Sequence, residues 1–186
     1  HIDLEAYKYV FSNPTSIINA YKITFIFSFV AMVMSVLFDA MIAYPLSRRN
    51  MKGKSGLAFY LYFTMLFSGG LVPLYILITQ YLHLGDTIWV YILPGMISPW
   101  YVFMMRTFFS ELPHEIFESV QIDGGNEYII FFRFVLPMSK PVLATVALLT
   151  FLAKWNCWQE SMLYINSSEK YSLQYLLQMM MSNIEL

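Results

Sequence analysis

Residues 23–44 read ITFIFSFVAMVMSVLFDAMIAY, from Ile23 to Tyr44, and only Asp39 among them is charged. The hydrocarbon core of a bilayer is crossed by about 20 predominantly apolar residues in helical form, and this stretch meets that length. Its apolar run shows no alternation of period two, which a barrel strand in lipid would need. Backbone N–H and C=O groups in lipid have to be satisfied within the segment, so the stretch is predicted to be a transmembrane helix.

Three further stretches carry the same signature. Leu57–Leu82 contains Gly69, Gly70 and Pro73, and Thr87–Met105 is interrupted by Pro94 and Pro99. Val142–Ile165 carries Lys154, Asn156 and Glu160 in its second half. The whole composition agrees: charged residues make up 12% of the chain, against about 25% in soluble domains, too few to cover a water-soluble globule. Aromatics reach 18%, which suits side chains at lipid interfaces. The expected fold is all-α, a polytopic helical membrane bundle with about four spans, forming a single transmembrane domain over residues 1–186. A net charge of -1 gives no reason to expect a nucleic-acid partner. Cys157 is the one cysteine, which excludes an internal disulfide and a cysteine-based zinc site, and it reads as a small packing residue.

Basic residues set the orientation. Arg48, Arg49, Lys52 and Lys54 crowd the connection after the first span and place it in the cytoplasm. The connection at His83–Asp86 has no Lys or Arg and is expected outside, as are Glu169 and Lys170 after the fourth span. The long connection with Arg133 and Lys140 then falls in the cytoplasm, and the N-terminus outside. His1–Phe11 lacks the basic-then-apolar order of a signal peptide, and the chain has no initiator Met, so a piece of a longer protein is expected. Tyr171–Met181 has helical apolar spacing but is too short to span, and is expected to lie at the interface or pack against the bundle.

The long cytoplasmic connection, about residues 110–140, is the informative one: SELPHEIFESVQIDGGNEYIIFFRFVLPMSKP, Ser110–Pro141. Pro113 suits the start of a short helix with Glu115 and Glu118 near its positive end. Asp123-Gly124-Gly125 is expected to stop that helix, since glycine accepts the left-handed conformation found at helix ends. Asn126 can cap a second helix over Glu127–Val135, with Pro137 ending it. The result is a rigid knob, a helix, a sharp turn and a helix.

This segment resembles the cytoplasmic signature loop of the permeases of ATP-binding-cassette importers. Their pattern is Glu-Ala-Ala, three residues, Gly, nine residues, Ile, one residue, Leu-Pro. Here Glu118-Ser119-Val120, Gly124, Phe134 and Leu136-Pro137 stand at the same spacing, with Ser119, Val120 and Phe134 replacing Ala, Ala and Ile. Ala43-Tyr44-Pro45-Leu46-Ser47-Arg48, Phe67–Pro73, Ile122-Asp123-Gly124, Leu136–Pro141 and Trp155-Asn156 extend the resemblance toward carbohydrate-uptake members, of the aldouronate or multiple-sugar type. Asp39 departs from that pattern, which calls for a small or apolar residue there.

The resemblance implies a bacterial plasma-membrane subunit holding spans two to five of six, with no chemistry of its own. It implies coupling to a separate ATPase, which binds the ATP, through Glu118, Ser119, Val120, Asp123, Gly124, Phe134, Leu136 and Pro137. A second permease subunit and an external substrate-binding protein delivering a carbohydrate complete the implied set of partners. Gly69, Gly70, Pro73, Asn156 and Gln159 are candidates for the translocation pathway, although glycine and proline in a span also serve packing and kinking. Trp155 and Trp158 can stack on a sugar ring or anchor at the interface. Asp39 can snorkel toward the cytoplasm or pair within the bundle.

Two other chemistries fail on the sequence. His114-Glu115 opens like a zinc-protease helix, but Glu118 stands where the second histidine is required, so no metal site is expected. Asp123-Gly124-Gly125-Asn126 is followed by no Gly-Lys-Ser or Gly-Lys-Thr, so it is no phosphate cradle. An intramembrane enzyme would need paired reactive groups at matching depth, and the spans offer scattered Asp39, Lys154 and Glu160. The remaining alternative is a multi-span membrane adaptor or assembly protein that transports nothing.

Overall fold

The computed structural model describes residues 14–122 and 124–184, and among these every regular element is helical. The chain divides into two compact units. One holds the residues up to Met32, Gly69–Gly95 and Thr150 onward, and the other holds Val33–Ser68 and Met96–Leu149.

Helix α1 runs over Pro14–Ser47. At about 1.5 Å per residue its 34 residues extend about 50 Å, well beyond a hydrocarbon core of about 30 Å. The helix buries Ala20, Thr24, Ser28, Ala31, Ser35 and Ala40, and it exposes Phe25, Ile26, Phe29, Val33 and Leu37. Apart from Phe27, Tyr44 and Leu46, the inside is small or polar and the large apolar residues lie outside, the reverse of a helix in water. This arrangement fits a helix whose solvent is lipid and whose neighbours approach closely.

The other expected spans are broken, each for a visible reason. Helix α2, Lys54–Leu66, is separated from α3, Leu71–Ile76, by a link ending in Gly70, whose φ of 88° and ψ of 175° suit glycine. A π-helical turn, Leu77–Tyr81, continues α3. Where one span was expected over Thr87–Met105, the structure has a single turn, α4 at Trp89–Ile92, and then α5 at Pro99–Ser110. Pro94 and Pro99 have no N–H to continue a helix, and Gly95 turns the chain at φ 72°. Thus one helix, Thr15–Ser47, is long and apolar enough to cross a membrane alone, and up to three crossings are possible if each bent helix pair counts as one.

Helices α6, His114–Ile122, and α7, Glu127–Ile130, form the expected knob. Pro137 does not end the second helix as expected. A π-helical turn at Phe131–Val135 carries the chain into α8, Leu136–Met138. The wider turn accommodates a proline ring that would otherwise strike a carbonyl one turn back. The chain breaks two residues later, at Ser139, where it bends by 78° into α9, Lys140–Trp155. Helix α9 stops where the Asn156 amide donates to the Leu152 carbonyl at 2.8 Å, and α10 follows at Gln159–Tyr164. The C-terminal helix expected over Tyr171–Met181 is α11, Leu173–Ile184. Its first N–H donates to Thr24 Oγ1 at 2.9 Å, which ties its start to α1.

In the first unit, Tyr91 is fully buried, with its ring stacked 4.2 Å from Phe27 and its hydroxyl bonded to Ser161 Oγ and the Lys170 carbonyl. The second unit is centred on a cluster that includes Ala43, Leu46, Met105, Phe117, Ile130 and Val146.

Candidate functional site

The knob is built around the end of α6. Gly124 adopts φ 81° and its N–H donates to the Gln121 carbonyl at 3.1 Å, while the Gly125 N–H donates to the Val120 carbonyl at 2.8 Å. This pair of bonds is a Schellman motif, which closes the orphan carbonyls of the helix end. Asn126 caps α7, its side-chain oxygen accepting from the Ile129 N–H at 2.9 Å. Asp123 lies outside the described residues.

Gly125 was not singled out on sequence, yet its position is the tighter one. A Cβ there would lie 2.8 Å from the Val120 carbonyl oxygen and 2.5 Å from Val120 Cγ1. Two adjacent glycines were visible, but the requirement for the second becomes apparent only when the turn is built.

Packing fixes the knob to α1. Phe117 is buried in the core, and the Arg48 guanidinium stands 4.6 Å over its ring. Tyr44 donates its hydroxyl to Glu127 Oε2, and Arg48 lies 3.6 Å from Glu127 Oε1. Gln121 Nε2 donates to the same Oε1 at 2.9 Å, joining the end of α6 to the start of α7. Tyr44, Arg48, Gln121 and Glu127, with His114 and Glu118, line a cavity of about 530 Å³ between the end of α1 and the knob. Arg48 Nη1 is buried there and meets no hydrogen-bond acceptor among the described residues. Glu127, Tyr44 and Arg48 were not among the expected coupling residues. The sequence signal was the basic cluster after the first span, which reported orientation but not this contact.

The expected coupling residues divide by exposure. Glu118, Ser119, Gly124 and Pro137 are exposed, whereas Val120, Phe134 and Leu136 are half-buried. Val120 and Leu136 pack against the core and so belong to the knob's support. Beside the exposed group stand Ile122, 85% exposed, and Tyr128, 73% exposed.

The candidate pathway residues sit at two separate helix breaks of the first unit. Gly69, Gly70 and Pro73 surround the start of α3, Asn156 lies between α9 and α10, and Gln159 opens α10, all five exposed. The helices after these breaks meet through Tyr75 and Tyr164, stacked at 5.6 Å. Trp155 is engaged by Tyr21 at 5.3 Å and Phe151 at 5.7 Å, and Trp158 is 38% exposed. Asp39 does not snorkel; it is fully buried and paired within the bundle. Cys157 is buried, as a packing residue should be. Among the described residues no group of His, Cys, Asp and Glu is arranged to hold a metal ion.

The connections expected outside the membrane meet each other. Asp86 accepts from the Ser167 hydroxyl at 2.6 Å, the Ser167 N–H at 3.0 Å and Lys170 Nζ at 3.1 Å. The Ser167 bonds, aided by Lys170 and the Asn166 N–H, hold the Asp86 carboxyl well below the usual carboxylate range.

Among the described residues the chain is all helical, with a capped helix–turn–helix anchored at the end of its longest helix, an architecture that fits an integral membrane component. Residues 12–157 match the family of binding-protein-dependent transport system inner membrane components, and the chain belongs to that family. It is 42% identical over 174 residues to the protein LplC of Bacillus subtilis (strain 168), covering 94% of this chain and 58% of that one. It is 40% identical to the polygalacturonan/rhamnogalacturonan transport system permease protein YtcP of the same organism, covering 94% of this chain and 60% of the relative. A crystal structure of a bacterial ABC transporter involved in the import of the acidic polysaccharide alginate contains a similar chain. The TM-score is 0.87 at 28% identity, covering 96% of this chain and 63% of that one. The chain therefore spans about 60% of the length of these relatives.

Proposed function

We propose that this chain is the membrane-embedded part of a permease subunit in an ATP-driven, binding-protein-dependent importer of an oligosaccharide or other carbohydrate. Its helix–turn–helix docks on a separate ATPase subunit, which binds the ATP. The observation that carries this reading is the exposed face of the knob. Ile122 and Tyr128 stand out at 85% and 73% exposure beside Glu118, on an element whose other side is locked to α1 by Phe117 and Glu127. Large apolar side chains held rigidly in water beside a charge form a protein-docking surface. The carbohydrate reading rests on the relative named as a polygalacturonan/rhamnogalacturonan transport system permease and on the similar chain of the alginate importer.

In this mechanism two permease subunits present their knobs to two ATPases. Closure of the ATPases on ATP moves the knobs, and rigid linkage to the membrane helices converts that movement into a switch between inward- and outward-open packings. An external binding protein delivers the sugar. Gly69, Gly70, Pro73, Asn156 and Gln159 are proposed to line its path, where broken helices present backbone and amide groups.

The test is retention of the ATPase on the full-length permease subunit purified from membranes. Wild type is expected to retain it, while Gly124→Pro, which removes the turn, and Glu118→Lys, which reverses a charge on the face, release it without loss of membrane insertion. Retention by both variants would overturn the docking assignment and favour the adaptor reading.

A further inference from the structure

The interruption of the third apolar stretch leaves backbone groups without helical partners at residues 93–98, in the middle of a segment apolar enough to lie in lipid. Such groups have to be satisfied by the protein, because the hydrocarbon offers nothing. Two ionisable residues from other helices do this. On one side, Lys154 Nζ, reaching from the last turn of α9, donates to the Tyr91 carbonyl at 2.7 Å and the Pro94 carbonyl at 3.0 Å. On the other side, Asp39 Oδ1 accepts from the Ser98 N–H at 3.0 Å, at the residue that precedes α5. Ser35 Oγ donates to the second Asp39 oxygen at 3.2 Å, one turn back on α1, and orients the carboxyl group.

The chemistry is matched on both sides. Lys154 brings only donors to carbonyls, and Asp39 brings acceptors to the N-terminal end of a 12-residue helix, where negative charge is favoured. Each group belongs to the same compact unit as the backbone it holds. Asp39 is fully buried, its relative accessibility being 0%.

We infer that Asp39 and Lys154 are positioning residues, each holding the backbone on its own side of the break in the third span: Lys154 the Tyr91–Pro94 end and Asp39 the Ser98 end. The assignment explains why two charges are kept in apolar helices, and it stands whether or not the transported solute is a sugar.

The experiment is thiol labelling of the full-length subunit in membrane vesicles, with Cys157→Ala as the background. Leu93→Cys reports the Lys154 side and Ile97→Cys the Asp39 side, both at positions exposed in the structure. Lys154→Met is expected to raise the labelling rate at position 93 by about tenfold, the scale of one lost charge-assisted hydrogen bond, and to leave position 97 within about twofold. Asp39→Leu is expected to do the reverse. Lys154→Arg, which keeps donors, and Asp39→Asn, which keeps an acceptor, are expected to stay near the parental rates. Equal rises at both positions, or no rise at either, would overturn the inference, since general loosening is not side-specific. If Lys154→Met or Asp39→Leu fails to accumulate in the membrane, Lys154→Ala and Asp39→Ala take their places under the same criteria. Because no transport is measured, failure here leaves the ATPase test untouched.

Discussion

Gly125 and Val120 face each other across the turn between α6 and α7, and their contact can be tested directly. Gly125→Ala is expected to cost about 1–3 kcal/mol of stability, the range for forcing an extra group into a filled site, read as a lower midpoint of thermal unfolding in detergent. Adding Val120→Ala is expected to recover only part of that loss. It removes the Cγ1 contact at 2.5 Å and leaves the carbonyl oxygen at 2.8 Å. Full recovery would show that the side chain, not the turn, sets the requirement. A second residue-scale expectation concerns Asp86. Its folded carboxyl gives up its charge at lower pH than an unfolded one, whose ordinary value is about 3.9. Its contribution is therefore complete above that value and fades as pH falls below it toward the folded value. Asp86→Asn is expected to remove this acid-side component, so the wild-type and variant melting temperatures converge on acidification below about pH 4.

At the scale of elements, the knob was legible and its anchorage was not. Glycine at a left-handed helix end, asparagine as a cap and proline near a helix start act through local chemistry, so Gly124, Asn126 and Pro113 could be read from their neighbours in sequence. Pro137 could not, because a π-helical turn relieves its ring only in three dimensions. Glu127 was also hidden: its partners Tyr44 and Arg48 come from the far end of α1. Tyr44→Phe is expected to cost about 1 kcal/mol, the net value of one hydrogen bond, with the ATPase still retained. Phe117→Ala is expected to cost about 3–5 kcal/mol and to release the ATPase as well, because it empties the contact that seats α6. Unfolding midpoints and ATPase retention separate the two outcomes.

At the scale of the whole molecule, the sequence reported the solvent and not the number of unbroken helices. Composition and the run at Ile23–Tyr44 identified lipid as the medium, and α1 with its large apolar exterior agrees. The breaks at Gly70, at Pro94–Gly95 and at Asn156 interrupt stretches whose average hydropathy is continuous. Hydropathy measures affinity for lipid and is indifferent to backbone direction, so a span and a broken span look alike to it. The orientation read from Arg48, Arg49, Lys52 and Lys54 yields a further expectation. With Cys157→Ala as the background, a membrane-impermeant thiol reagent applied outside intact cells is expected to label Glu169→Cys and spare Arg49→Cys. The reverse pattern would invert the topology. The Asp86–Lys170 contact agrees with the expected placement, since it brings together two connections assigned to one side.

Helix α1 carries Asp39, and Arg48 directly follows its last residue, about 13 Å further along the axis. The first holds the start of α5 and the second holds the knob, and α5, the knob and the part of α1 from Val33 onward lie in one compact unit. An unbroken helix has almost no axial give, so it acts as a push-rod without slack. A paramagnetic or fluorescent label on the knob and another near Ser98 should therefore report a single displacement with a single time constant. Two separate relaxation rates would mean that the rod bends, and Pro45, the proline between its two loads, is where that bend would fall.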